Sequence, residues 1–256
     1  MPTDGSLIPQ YGRARRDPSL AVLEGLHPLK HALRFGATIL EVLCTDRVEL
    51  RRLAEQLAPD VSGQIVGLAR EVPGDVFAGL APLTPPTGTI ALAERLAVDP
   101  AAVLADARDA PVVLLEDPRD LGNLGACVRV AAAAGAAGVL TTGGHDPWHP
   151  DALRGSAGLH YALAVSRLPE GLPPTPERPL FALDPAGEPL EPSALPAGAV
   201  LAFGTERHGL SSELLARADA RIGIPMRPGV SSLNLATSVA VVLFAHRFCS
   251  QTQSRS

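Results

Sequence analysis

The stretch Leu114–Gly138, LLEDPRDLGNLGACVRVAAAAGAAG, decides the fold. It begins inside an apolar run, Pro111–Leu115, whose length and Val/Leu content read as a buried strand. An acidic loop follows, Glu116 to Asp120, and then a helix rich in small residues from Leu121 to Ala134. Strand, loop and helix in this order make a βα unit, and ligands in α/β proteins gather at such strand ends. Two residues in it are unusual for a core. Asn123 lies at the helix start, where an amide either caps the helix or points into a site. Arg129 follows about six residues on, in a row of Val and Ala. An Arg there must pair, extend its head into water, or reach an anion.

The rest of the chain is consistent with a globular α/β protein. Its 256 residues suffice for one large or two ordinary domains, and 46% hydrophobic against 19% charged residues exclude disorder. Aromatics are only 4%, so Ala, Leu and Val fill the core. A net charge of −5 argues against nucleic-acid binding by bulk charge and leaves room for a local basic patch. Lys30 is the only lysine; arginine carries the positive charge. Cys44, Cys127 and Cys249 are scattered, with no CxxC spacing, which fits a reducing cytosol. No apolar run approaches a membrane span and no signal core opens the chain, so the expectation is a cytoplasmic protein.

Residues 1–18 read as a flexible basic N-terminal tail, with Arg13, Arg15 and Arg16 placed to touch phosphates. Residues 19–95 form a small alternating α/β unit, with strands over Thr38–Cys44, Gln64–Leu68 and the TIALA segment, and helices over Val48–Leu57 and Pro73–Leu80. Residues 96–110, rich in Ala, Asp and Pro, read as a linker. The second domain, 111–250, continues as strand Gly138–Thr142, helix Asp151–Ala157, a proline-rich loop, and strands Leu180–Leu183, Val200–Phe203 and Ile222–Ile224. A helix over Ser211–Ala218 is capped by Ser211 or Ser212, and a terminal helix runs from Leu233 to Phe248.

Three glycine-bearing loops follow strand ends in this second domain: LGNLG (121–125), FGTERHGLS (203–211) and IPMRPGVSSLN (224–234). Glycine lets backbone approach a ligand closely, so that exposed N–H and C=O groups read it. One such loop is a weak signal; three in one domain, each beside unusual polar residues, are a stronger one. A dinucleotide fingerprint is excluded, because the first loop offers only Gly122 and Gly125 and the next strand ends on Thr141, Thr142 and Gly143 rather than an acid. His145 and His149, with Asp146 between them, sit in a Pro-broken irregular loop with no further ligand evident, so no metal is expected.

The order NLGACVR, FGTERHGLS, IPMRPGVSSLNLATSVAV resembles the three motifs of the SpoU/TrmH family, the RNA ribose 2'-O-methyltransferases of the SPOUT superfamily. The first domain, with LEG at 23–25 and TGTIAL at 87–92, is similar to the L30e-like RNA substrate-binding domain of that family's ribosomal branch. The resemblance implies an α/β fold: a SPOUT α/β-knot (trefoil-knotted, Rossmann-like) C-terminal domain after a small N-terminal α/β domain. It implies S-adenosylmethionine as cofactor, RNA as substrate and a homodimer. By motif position Phe203, Gly204, Thr205, Ile224, Met226 and Leu233 contact the cofactor, while Asn123, Arg129, Glu206, Ser232 and Asn234 fall on the catalytic positions. Arg154 and Ser156 in LRGSAG resemble the phosphate-gripping RxSxG, so they join Arg13, Arg15 and Arg16 as expected RNA contacts. The second motif often reads GNE; here it is Gly204-Thr205-Glu206.

Methyl transfer is a displacement by the ribose 2'-hydroxyl, so the enzyme must align two groups and help a proton leave. A guanidinium barely deprotonates, so an electrostatic role suits Arg129: holding phosphate and stabilising a developing alkoxide. The expected substrate is 23S rRNA. The alternatives are a tRNA 2'-O-methyltransferase, a thiopeptide-resistance rRNA methyltransferase, and a non-catalytic RNA-binding assembly factor. The joint presence of the five polar positions argues against the last.

Overall fold

The computed structural model describes residues 4–106, 108–173, 177–205 and 208–253. In chain order the elements are α1 (Asp4–Ala14), β1 (Leu20–Glu24), α2 (Leu26–Arg34), β2 (Ile39–Cys44), α3 (Arg47–Leu57), α4 (Ser62–Leu68), β3 (Ala69–Glu71), α5 (Gly74–Ala78) and β4 (Thr89–Glu94). They continue as α6 (Pro100–Ala105), β5 (Val112–Leu115), α7 (Leu121–Ala134), β6 (Gly138–Thr141), α8 (Pro150–Gly155), β7 (Ala164–Arg167), β8 (Leu180–Pro189), β9 (Val200–Phe203), α9 (Ser212–Arg217), β10 (Ala220–Gly223) and α10 (Leu235–Gln253). The chain divides into two units. One holds the residues up to Ala97 together with Trp148–Ala162; the other holds Val98–Pro147 and the residues from Leu163 onward.

The first unit has a four-stranded sheet in the order β1-β4-β2-β3, with β4 antiparallel to both its neighbours and β2 parallel to β3. From Asp4 onward the N-terminal segment is not a loose tail. Leu7, Tyr11 and Ala14, spaced at four and three, line one face of α1 and are buried with Val22, Leu43, Phe77 and Ile90. Polar composition and Pro9 hide that stripe from a reading by composition alone. The strand expected over Gln64–Leu68 is a helix instead, α4, and the strand comes after it as β3. Only Ile65 is buried on α4, so its one-sided burial, not the β-branched pair Ile65-Val66, decides the conformation.

The expected linker also carries structure. Asp99 caps α6 by accepting from the Ala101 N–H at 2.9 Å, and Val103 and Leu104 are buried in the second unit's core. Helix α8 and the residues to Ala162, expected in the second domain, group with the first unit. There Gly158 lies with φ +79 against Pro28: a Cβ would meet the Pro28 carbonyl oxygen at 2.4 Å, so only glycine allows the approach.

The second unit is built on a six-stranded sheet in the order β10-β8-β9-β5-β6-β7, parallel throughout. Val112, Val113, Leu114 and Leu115 on central β5 are fully buried, as a parallel strand covered on both faces requires. The unbroken apolar run in the sequence is this two-sided burial. β7 went unforeseen, because its short AVSR segment at the sheet edge carries no such run. Helix α7 starts at the Asp120 cap and stops at Gly135, whose φ of 77° is left-handed.

Candidate active site

The loops singled out in the sequence converge in the second unit. After β9 ends at Phe203, Thr205 and Gly209 hydrogen-bond each other through both backbone groups, at 3.2 and 3.0 Å. A Cβ on Gly204 would stand 2.0 Å from the Gly209 carbonyl carbon, so this tight closure requires glycine. β8 supplies a second wall. It pairs with β10 at Ala182–Arg221 and again at Glu188–Ile222, so the residues between bulge from the ladder. Gly187 makes room for the bulge, since a Cβ there would lie 2.6 Å from the Arg221 carbonyl carbon.

Between these walls and the segment leading into α10 lies a cleft of about 350 Å³. Phe203, Gly204, Thr205, Ile224, Met226 and Leu233 all line it, as does Ser232. It opens at the carboxyl ends of β9 and β10, the usual ligand position in a parallel sheet, and its size suits a small molecule. Asp184, Ser231 and Ser238 line it too and were not foreseen. Among the described residues of the lining, Asp184 alone is ionisable. Its Oδ1 accepts the Ala186 N–H at 3.0 Å. The signal was available: Asp-Pro-Ala-Gly directly after an apolar strand is a turn at a strand end.

The two possibilities for Asn123 resolve in the geometry. Asp120 is the residue that caps α7, its Oδ1 accepting the Asn123 N–H at 2.8 Å. The Asn123 side chain therefore does not cap the helix. Its Oδ1 accepts from Asn234 Nδ2 at 3.0 Å. Asn234 meanwhile caps α10, its Oδ1 accepting the N–H groups of Ala236 (2.9 Å) and Thr237 (3.3 Å). One amide therefore both starts a helix and fixes a residue 111 positions away. The N-termini of α7 and α10 meet at this bridge, and both point their positive dipole ends toward it. Arg129 is exposed on α7, and Glu206 lies outside the described residues.

The family model for the SpoU rRNA methylases matches residues 110–244. The chain belongs to the SpoU rRNA methylase family. It is 32% identical over 246 residues to an uncharacterized tRNA/rRNA methyltransferase of Synechocystis, covering 92% of this chain and 86% of the relative. It is 29% identical over 258 residues to the 23S rRNA (adenosine(1067)-2'-O)-methyltransferase of Streptomyces laurentii, covering 91% and 87%. Among solved structures, an AdoMet-bound rRNA methyltransferase from Sinorhizobium meliloti superposes with a TM-score of 0.74 at 25% identity, over 96% of this chain and 94% of that one.

The matched span of this SpoU methylase contains the whole cleft, the Asn123–Asn234 bridge and Arg129. The residues expected to face RNA divide differently. Arg13 and Arg16 are exposed, whereas Arg15 is half-buried in an ion pair with Glu24 at 2.8 Å. Glu24 is itself buried and also holds Arg154 at 2.9 Å; Arg154 pairs further with Asp151 at 2.5 Å. Ser156 is fully buried. Its Oγ hydrogen-bonds the Leu153 carbonyl (3.0 Å) and His160 Nδ1 (2.7 Å) and receives the Gly158 N–H (3.1 Å). Those contacts leave Ser156 as an internal turn-former, not a phosphate grip.

Proposed function

We propose that this protein is an S-adenosylmethionine-dependent methyltransferase that methylates a ribose 2'-hydroxyl in 23S rRNA. The observation that carries the reading is the cleft lined by the second and third motif loops, with Asn234, the neighbour in sequence of its lining residues Leu233 and Leu235, bound to Asn123 of the first motif. The methylated product of the Streptomyces relative has the same chemistry. The cofactor, when bound, supplies an electrophilic methyl group. The chain's own part is to hold and orient. Gly204 and its tight loop present backbone where no side chain fits, and Asp184 places a negative charge in the cleft of a positively charged donor. Asn123, held by Asn234, positions the acceptor ribose. The guanidinium of Arg129 stabilises the phosphate and the developing alkoxide, and the hydroxyl proton leaves to water as the methyl is transferred. Two helix N-termini add to that field.

The same reading covers the rest of the molecule. The first unit serves as an L30e-like RNA-binding domain, with Arg13 and Arg16 free to meet phosphates. The C-terminal segment is threaded as a knot, and the active form is a homodimer joined through α10. That helix exposes Phe248 and Val241 and packs Phe244 against Phe248 in a tilted pair with centroids 5.9 Å apart. No helix among the described residues is long and apolar enough to cross a membrane, and the working compartment is the cytoplasm.

The test is transfer of labelled methyl from S-adenosylmethionine to separated rRNA and tRNA from a strain lacking the gene. Label in 23S rRNA, with alkali resistance at the modified nucleotide, is the expected result. Arg129→Ala should abolish transfer and leave cofactor affinity within about twofold of wild type. Label in tRNA alone, or wild-type turnover by Arg129→Ala, would overturn the substrate or the site assignment respectively.

A further inference from the structure

The second-motif residues at the cleft are tied to each other by the Thr205–Gly209 backbone bonds, yet those bonds do not explain why these residues stay where they are. Phe203, Gly204, Thr205 and Gly209 reach the cleft from this motif. Its two ends are both gripped by one residue beyond the end of another strand, Glu116. At the near end the Glu116 N–H donates to the Phe203 carbonyl at 2.9 Å. At the far end the Glu116 carboxylate takes two hydrogen bonds from Ser211, from the backbone N–H and from Oγ, each 2.6 Å. Short bonds to a charged acceptor in a two-pronged arrangement are the strong kind.

The wiring at Ser211 is complete. Its hydroxyl donates its single proton to Glu116 and accepts the Leu214 N–H at 3.2 Å, which caps α9. Glu116 also stands at the head of the loop into α7. The next residue, Asp117, donates its N–H to Thr142 Oγ1 at 3.1 Å, and Asp120 caps the helix that carries Asn123 and Arg129. Glu116 is absent from the lining of the cleft and lies in a separate recess with Thr142, Ser211 and Arg217.

We infer that Glu116 is a positioning residue: it locks the second-motif loop to the first-motif loop and so sets the cofactor cleft against the catalytic helix. Its carboxylate joins two loops across the 95 positions that separate Glu116 from Ser211. The amide of Glu116→Gln still accepts the Ser211 N–H but turns an NH₂ toward Oγ, so the hydroxyl proton loses its acceptor and both bonds lose the carboxylate charge. The inference rests on reading the cleft as the site of S-adenosylmethionine.

Titration calorimetry with S-adenosylmethionine and S-adenosylhomocysteine, alongside thermal unfolding and steady-state kinetics, separates the outcomes. Glu116→Gln should bind both molecules about tenfold more weakly with Tm within a few degrees of wild type, and Glu116→Asp should recover part of the loss. Ser211→Ala should show a similar loss, and the double variant should be no weaker than the worse single one, because the two residues act through one contact. Should Glu116→Gln fail to fold, Ser211→Ala and Glu116→Asp carry the same comparison. Unchanged affinity and KM in these variants, fully additive losses, or losses that simply track Tm would overturn the role of Glu116. Wild-type protein that binds neither molecule would instead sink the reading of the cleft.

Discussion

Asn234 offers the sharpest separation of structure from catalysis, because its two ends do two jobs. Its Oδ1 caps α10 through the Ala236 and Thr237 N–H groups, and its Nδ2 holds Asn123. Asn234→Ala removes both. Loss of the cap costs about 1 kcal/mol. The exposed amide–amide bond adds roughly 0.5–1 kcal/mol. The sum, about 1.5–2 kcal/mol, lowers Tm by roughly 4–7 °C in a unit of this size. Asn234→Ser keeps a capping oxygen but is too short to reach Asn123. Asn234→Asp keeps the cap, favoured by the helix dipole, but sets an oxygen against Asn123 Oδ1. Both keep the cap and lose only the bond to Asn123, so both should stay within about 1 kcal/mol of wild type in stability. Both should lose methyl transfer by roughly 10- to 100-fold in kcat, the usual effect of a misplaced reacting group. The assay pairs urea unfolding with single-turnover methylation of the RNA pool that the wild type labels. If the Ser and Asp variants methylate at the wild-type rate while Ala differs only in Tm, Asn234 is a helix cap and nothing more.

Three further outcomes follow from other parts of the molecule. Arg178 is buried and donates to the carbonyls of Leu104 (3.1 Å), Ala110 (2.7 Å), Gly198 (2.9 Å) and Asp106. Arg178→Ala should cost about 3 kcal/mol in chemical unfolding, and Lys should restore only a part because its ammonium lacks the planar fork. Burial first, and the nearby Lys30, Arg34 and His27 charges, hold the His31 imidazole below its ordinary pKa against the opposing pull of its bond to the Ala157 carbonyl. A depressed base favours the neutral form in the fold, so its contribution is present above the unfolded pKa near 6.5 and is lost as pH falls below it. His31→Gln should therefore flatten the decline of Tm between pH 7 and pH 5; an unchanged slope would refute the assignment. Phe248→Asp on α10 should turn a wild-type dimer into a monomer by light scattering, and a monomeric wild type would remove the proposed interface.

How far the sequence can be read depends on what holds each residue in place. β5 and α7 were legible to within a residue or two, because two-sided burial writes a continuous apolar run and a capped helix writes its own ends. The cleft was legible through glycine: Gly204 is required by a 2.0 Å approach, and a requirement of that kind leaves a loop that cannot be spelled otherwise. What failed was one-sided or distant. Helix α1 is held by three residues in a polar stretch, and α4 by Ile65 alone, so tertiary contacts outweigh local pattern in both. Ser156 matched a motif but turned inward onto His160, since a spacing fixes the order of residues and not the face they show.

The site residues that escaped the sequence share a reason. Glu116 reads as one acid in an acidic loop, and Asp184 as one acid in a turn. Their roles come from partners 95 positions away in one case and from a bulge opposite β10 in the other. Three short loops cannot hold a ligand unless something fixes their mutual spacing, because backbone bonds within a loop set only its own shape. In this chain the spacing is set by side chains that cross between loops: Glu116 to Ser211, and Asn234 to Asn123. The glycines make the cleft possible, and the crossing polar pairs make it one particular shape. Substitutions at the crossings should therefore change affinity and turnover while leaving the fold nearly intact, whereas a side chain at Gly204 should damage both together.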